Sequence, residues 1–242
     1  MERMKKFLVS FIPRYISNDI VLFVYQILAL VPVPKEIRKK NYKHNIEQLK
    51  NTEWDFWTDP HGCIENQSQW GNILFGKGAQ NNVRYAGCEI IAAFNALKIL
   101  TGTGTPESMA KLISERERKG AALWGGFGVS PRAIEAYFRK QGFHVETTTK
   151  DDERSIKRVA ASGKVFIATV YNDAGDITKQ AHTVCISRGQ DGGYVLHNAY
   201  RKSKNGKYAS SVSYADLFTA IRHVSGNDSK LIYLIGIAYS SN

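Results

Sequence analysis

Residues 165–200 carry the pattern that decides the fold: Val165-Phe-Ile-Ala-Thr-Val-Tyr171, then His182-Thr-Val-Cys-Ile-Ser187, then Arg188-Gly-Gln-Asp-Gly-Gly193, then Tyr194-Val-Leu-His-Asn-Ala-Tyr200. Three β-rich runs are separated by turn chemistry, and the second and third are joined through Asp191-Gly192-Gly193, so they read as an antiparallel hairpin. Further β-rich runs follow at Tyr208–Val212 and Leu231–Tyr239, bounded by Asn205-Gly206 and Gly226-Asn227-Asp228. Upstream the period is different. Ile90, Ile91, Phe94, Leu97 and Leu100 recur at helical spacing from Cys88 and stop at Gly102. A second helix is expected over Pro106–Arg118, with Met109, Leu112 and Ile113 on its inner face. A third starts at Ser130 and Pro131, buries Ile134, Tyr137 and Phe138, and closes at Gly142. Shorter helices are expected at Ser155–Ala161 and at Tyr214–Ile221, the latter capped by Ser213 with Asp216 three residues on. Helices first and mostly antiparallel strands second make an α+β domain.

Composition narrows the functional classes. The 242 residues suffice for a full core, and 43% hydrophobic against 23% charged residues is a globular balance. Three cysteines exclude a disulfide framework and leave at least one thiol unpaired. No apolar run reaches the length of a spanning helix. The net charge of +11 is uneven, since residues 1–50 hold ten Lys/Arg against four Asp/Glu. This divides the chain into a basic, partly apolar helical extension over 1–53 and a main domain over 54–242, which opens with an irregular stretch, Trp54–Gly78, rich in Trp, Asn, Gln and Gly. The cluster Arg38-Lys39-Lys40 with Lys43 reads as a solvated helix face that can also meet anionic lipid. The apolar runs Phe7–Ile12 and Ile20–Val33 are split by Pro13, Arg14, Asn18 and Asp19 and lack a clean cleavage site, so the extension reads as a retained helix at a membrane surface rather than a signal peptide. No stacked-aromatic nucleic-acid motif accompanies the basic residues, and no nucleic acid is expected as partner.

The candidate chemistry starts at Ala86-Gly87-Cys88-Glu89, where the chain enters the apolar helix. Amides at a helix N-terminus stabilise an anion, so a cysteine there is expected to ionise near neutral pH. Gly87 is expected to let the backbone approach a substrate. A thiolate nucleophile needs a base and a group to orient it. The hairpin loop, centred between Gln190 and Asp191, sets His182 opposite Asn198 with a one-residue adjustment, their Cβ atoms about 5 Å apart. The same register groups Val184, Ile186, Tyr194 and Leu196 with them and sends Cys185 and His197 to the other face, which makes His197 a poor rival for the base. A zinc site from His61, Cys63, His182 and Cys185 is an alternative with loose spacing, and strand alternation points His182 and Cys185 apart.

Taken together, Gly87-Cys88-Glu89 opening an alanine-rich helix, His182-Thr-Val-Cys-Ile, and Asn198 in the next strand resemble the papain-like cysteine peptidases. Within them the chain is most similar to stand-alone relatives of the bacteriocin-processing peptidases that cut after double-glycine leaders. Gln67-Ser-Gln69-Trp70-Gly71 and the stretch Gly125–Gly142 add to the likeness, which runs from about Asn66 to Ile221. The resemblance implies a helical half carrying the catalytic helix, followed by an antiparallel sheet. It implies Cys88 as nucleophile, His182 as general base and acid, and Asn198 as the orienting residue, where many relatives carry aspartate and papain carries asparagine. It also implies an oxyanion-hole glutamine upstream of the cysteine: Gln80 is the first choice, with Gln67 or Gln69 as alternatives. The expected activity is a cysteine peptidase: hydrolysis of a peptide or isopeptide bond in a peptide or protein substrate through a thioester. It needs no metal or organic cofactor, and it takes place in the cytoplasm with membrane-surface contact through residues 1–50. A non-catalytic peptide-binding module and an acyltransferase on the same fold are the competing readings, with a membrane or nucleic-acid adaptor as a third. The basic hairpin Tyr200–Tyr208, with Arg201, Lys202, Lys204 and Lys207, could guide an acidic peptide toward Asn198.

Overall fold

The computed structural model describes residues 17–51, 62–78, 80–172, 181–199, 212–226 and 228–240. The Phe7–Ile12 run, His61 and the Tyr200–Tyr208 hairpin lie outside them.

Two helices open the described residues, α1 (Asn18–Leu28) and α2 (Lys35–Lys50). Ser17 caps α1 by accepting from the Ile20 amide, and Pro34 precedes the first turn of α2. These helices belong to the body of the fold: Leu22, Val33 and Leu49 are fully buried in the same cluster as the central helix. A single short turn, α3 (Val83–Ala86), leads into that central helix, α4 (Cys88–Thr101). Residues 88–96 of α4 are buried all round, as expected for a helix enclosed by other layers. Gly102 ends it in the left-handed conformation (φ 70°).

Next come α5 (Pro106–Arg118), with a Thr105–Ser108 capping box, and α6 (Pro131–Lys140), with proline at its first position. Strand β1 (His144–Thr148) follows; its mixed burial gives no clean alternation, and the sequence pattern did not mark it. Helix α7 (Glu153–Ser162) is capped by Asp152. The strands β2 (Val165–Tyr171), β3 (Ala181–Arg188), β4 (Tyr194–His197) and β5 (Ser213–Tyr214) then lead to α8 (Leu217–Arg222) and β6 (Leu231–Ala238). The expected start of α8 at Ser213 is corrected. Ser213 and Tyr214 pair with β4, and Asp216 takes the cap instead, accepting from the Thr219 amide at 2.8 Å.

The strands form one six-stranded antiparallel sheet in the order β1-β6-β2-β3-β4-β5. Its two faces carry separate cores. On one, Ile167, Tyr171, Cys185, Tyr233 and Ile235 pack with α4 and its neighbouring helices. On the other, Phe166, Val170, Val184, Ile186 and Leu196 pack with α7 and α8. The molecule is therefore α+β, with helices on both sides of an antiparallel sheet.

Candidate functional site

Cys88 is the first residue of α4, buried to 7% exposure, with its Sγ donating to Glu89 Oε2 at 3.3 Å. The amide of Thr183 on β3 donates to the same sulfur. Gly87 serves packing here: a Cβ on it would fall 2.6 Å from Val83 Cγ1 and 2.7 Å from Val83 O, so glycine allows α3 and α4 to join this closely. The sulfur opens onto a cleft of about 30 Å³, room for about one water. Tyr25 of α1, Gln67, Tyr85 and Phe127 line it with Cys88 and Glu89.

The expectation of an ionised thiol is corrected. Burial, and then the neighbouring Glu89 charge, push the Cys88 thiol well above its usual value, and the Thr183 and Glu89 amides only partly offset this. The Glu89 carboxyl is itself pushed up to about 7 by burial, held back by its own amide, the Cys88 thiol and the Val129 amide. A helix N-terminus favours an anion, but here desolvation beside a second acid outweighs it.

His182 is fully buried, and its Nε2 lies 2.8 Å from the backbone carbonyl oxygen of Asn198. A carbonyl only accepts, so Nε2 carries the proton, and Nδ1 is the basic nitrogen of this tautomer. Burial, against the Asn198 carbonyl, lowers the imidazole pKa to about 4. Asn198 adopts φ 61° at the end of β4, and this left-handed turn swings its side chain toward the segment before α3. There Asn198 Oδ1 accepts from the Gln67 amide at 3.0 Å, and Asn198 Nδ2 donates to Gln67 Oε1 at 3.1 Å. Gln67 Nε2 in turn donates to Arg84 O at 3.0 Å.

Two features of the expected geometry change. Cys185 pairs with His197 and Ile186 with Leu196, so this register would set Asn198 opposite Val184, not His182. The contact of Asn198 with His182 runs through its main chain. The expected grouping of side chains by face does appear in the two cores, but the face shared by Val184, Ile186, Tyr194 and Leu196 is the one away from α4. Strict pairing of β2 with β3 sets His182 across from Val170, also in that second core, while Thr183 and Cys185 lie under α4. Cys88 and His182 thus approach β3 from opposite faces, at neighbouring residues of one strand. Of the three glutamines, Gln67 lines the cleft, Gln69 is half-buried in the turn that follows it, and Gln80 is exposed on a turn outside the cleft lining.

His197 sits in a separate buried cluster. Its Nδ1 is 2.6 Å from Glu65 Oε1, and its Nε2 is 2.8 Å from Ser187 Oγ. Burial opposes its charge, but the bonds to Cys63 and Glu65, with the Glu65 carboxylate beside it, prevail and push the imidazole up to about 10. Held protonated, with both nitrogens engaged, it cannot act as a base. Glu65 Oε2 also accepts from the Asn198 amide at 3.0 Å, which ties this cluster to the strand end. Among the described residues no group of three or more His, Cys, Asp or Glu is arranged to hold a metal ion. Glu65, Glu89 and Tyr25 escaped the sequence reading. Only the position of Glu89, adjacent to the cysteine at a helix start, could have signalled one of them.

No family model, curated protein or solved structure matches the chain.

Proposed function

We propose that the protein is a thiol-dependent hydrolase of the papain-like type, cleaving a peptide or isopeptide bond through a thioester on Cys88. The observation that carries this reading is the chain of contacts from the sulfur to the glutamine. Cys88 meets β3 at Thr183, His182 adjoins it with Nε2–H on the Asn198 carbonyl, and the Asn198 side chain is clasped by Gln67, which returns to the cleft. In this reading His182 Nδ1 takes the thiol proton, the sulfur bonds to the carbonyl carbon, and the C–N bond breaks as His182 returns the proton to the leaving amine. Water then hydrolyses the thioester with His182 as base. The Cys88 amide and the second Nε2–H of Gln67 face the oxyanion, in the role first given to Gln80. The described state is a resting one: thiol and imidazole are both neutral, the ring must pass β3 ahead of Cys185, where the pairing with β4 begins, to reach the sulfur, and Tyr25 lines the cleft mouth.

A second reading, a non-catalytic peptide-binding module, is favoured by one observation, the thiol proton directed at Glu89 with the imidazole on the far face of β3. Acyl transfer from p-nitrophenyl acetate separates the two. A hydrolase gives a mass adduct on Cys88 that is absent in Cys88→Ala and His182→Gln and forms faster in Tyr25→Ala. If His182→Gln acylates at the wild-type rate, the papain-like assignment is wrong. If neither wild type nor Tyr25→Ala acylates, the binding module stands.

A further inference from the structure

A helix that packs on a soluble core normally has one apolar and one polar face. Helix α1 does not. Its inner face docks through Leu22, which is fully buried, and through Asn18 Nδ2, which donates to Thr149 O and Leu231 O. Its outer face is apolar as well: Phe23 is 60% exposed and Ile27 48%, and the chain leaves the helix through Leu30 at 74% and Val31 at 57%. Helix α1 packs beside the 122–125 turn, whose neighbourhood exposes Trp124 and Phe127. That turn holds Leu123 and Trp124 at φ 46° and 56°, two successive non-glycine residues in the left-handed region, a strained backbone that is retained only where other contacts impose it. The contact imposing it is a close backbone approach, in which Lys77 N–H donates to Trp124 O at 2.8 Å and a Cβ on Gly76 would overlap that oxygen. The outcome is an indole held outward, with Lys77 Nζ 4.9 Å from its ring centre.

We infer that this combined surface, the outer face of α1 with the 122–127 turn, docks onto an anionic lipid bilayer. Three observations select lipid over a protein partner. The patch mixes long aliphatic side chains with an outward tryptophan and a lysine on its ring, the pairing suited to a headgroup boundary. Lys35, Lys39 and Lys40 are exposed in the first turns of α2, four to nine residues beyond Val31, against one exposed acid there, Glu36, which pairs with Lys39 at 3.7 Å. The segment leaving the apolar face therefore keeps a net positive charge that complements an anionic surface. The first 50 residues also carry most of the charge asymmetry, ten Lys/Arg against four Asp/Glu. Phe127 belongs both to the patch and to the Cys88 cleft lining, so docking brings the cleft mouth to the membrane surface.

The test is flotation of the full chain with vesicles of phosphatidylcholine alone and of equal parts phosphatidylcholine and phosphatidylglycerol. The wild type floats with the mixed vesicles, its binding weakens but persists as salt is raised, and tryptophan emission shifts to the blue with Trp124 present but not in Trp124→Phe. Phe23→Glu with Ile27→Glu lowers binding at least tenfold. Both positions are exposed, and an unchanged thermal melt shows that the variant is folded. Lys35→Glu with Lys39→Glu lowers binding to the mixed vesicles without affecting the melt, and Cys88→Ala binds as wild type, which keeps this inference separate from the chemistry at the thiol. The inference is overturned if the wild type floats with neither vesicle, if the apolar variant floats undiminished, or if the patch proves to be a dimer surface, seen as a wild-type dimer that Phe23→Glu converts to monomer with no vesicle binding by either form.

Discussion

His182 offers a direct measure of how deeply the candidate base is buried. Its imidazole is displaced from an ordinary 6.5 to about 4, because burial penalises the cation more than the Asn198 carbonyl supports it. A base whose pKa is lowered on folding contributes stability that is complete above pH 6.5 and is lost as the pH falls through 4. At 1.36 kcal/mol for each pH unit of displacement, the whole contribution is about 3 kcal/mol. The wild-type curve alone conceals it, because Glu89 and Glu117, both raised to about 7, favour the folded state over much of the same acid range. The comparison is therefore with His182→Gln, whose side-chain amide can still donate to Asn198 O but cannot titrate. Urea unfolding of both proteins from pH 7.5 to 4 gives the difference in stability at each pH. That difference moves by about 3 kcal/mol against the wild type on acidification. In parallel, the His182 ring proton titrates in the folded protein with a midpoint near pH 4. A flat difference, or a ring midpoint near 6.5, would refute the account of a neutral, desolvated imidazole and with it the resting state of the site.

Three further outcomes follow from the geometry. Glu117 Oε1 accepts from Asn41 Nδ2 at 2.5 Å and from the Gly76 amide at 2.8 Å, and burial raises its carboxyl to about 7; relative to Glu117→Gln, the wild type loses about 3 kcal/mol as pH rises from 4.5 through 7, read by the same unfolding series. Asn198→Ala loses both bonds to Gln67 and places a Cβ-branchless but non-glycine residue at φ 61°, costing about 2–4 kcal/mol in chemical unfolding, whereas Asn198→Gly keeps the turn and costs about 1–3 kcal/mol. Glu89→Gln removes the acid beside the thiol, so Cys88 is alkylated by iodoacetamide at least several-fold faster at pH 8, followed by mass spectrometry of the Cys88 peptide; an unchanged rate would mean that Glu89 does not hold the proton on the sulfur.

The sequence conveyed what depends on local period and local caps. Helix α5 begins and ends at the expected Pro106 and Arg118, and β2 runs over the expected Val165–Tyr171, because proline, glycine and branched residues punctuate those segments themselves. The alternation of the β3–β4 hairpin was equally legible, and Val184, Ile186, Tyr194 and Leu196 do share a core. Periodicity groups side chains by face but does not say which helix covers that face, and here α4 covers the other one. Strand β1 and the extent of α1 depended on long-range partners: β1 on β6, and α1 on Thr149 and Leu231.

The site repeats this lesson at the level of single atoms. A helix start beside a cysteine suggests a thiolate, since the field of the first turn can be read from sequence, but the dielectric around it cannot. Glu89 is the informative residue. As an exposed neighbour it would matter little to the thiol, yet its carboxyl accepts from Sγ in a fully enclosed space, and there two acids in contact cannot both ionise cheaply. Likewise, Asn198 could be expected to orient His182 only through its side chain, because the left-handed backbone that presents its carbonyl instead follows from Glu65 and Gln67, more than 130 residues earlier. On the proposed hydrolase reading, an activated Cys88 loses the Glu89 contact and gains the His182 ring in one rearrangement past the stretch of β3 ahead of Cys185, where its pairing with β4 begins. Tyr25 lines the cleft beside both Cys88 and Glu89, so a change there acts on the first half of that rearrangement, the release of the thiol from Glu89.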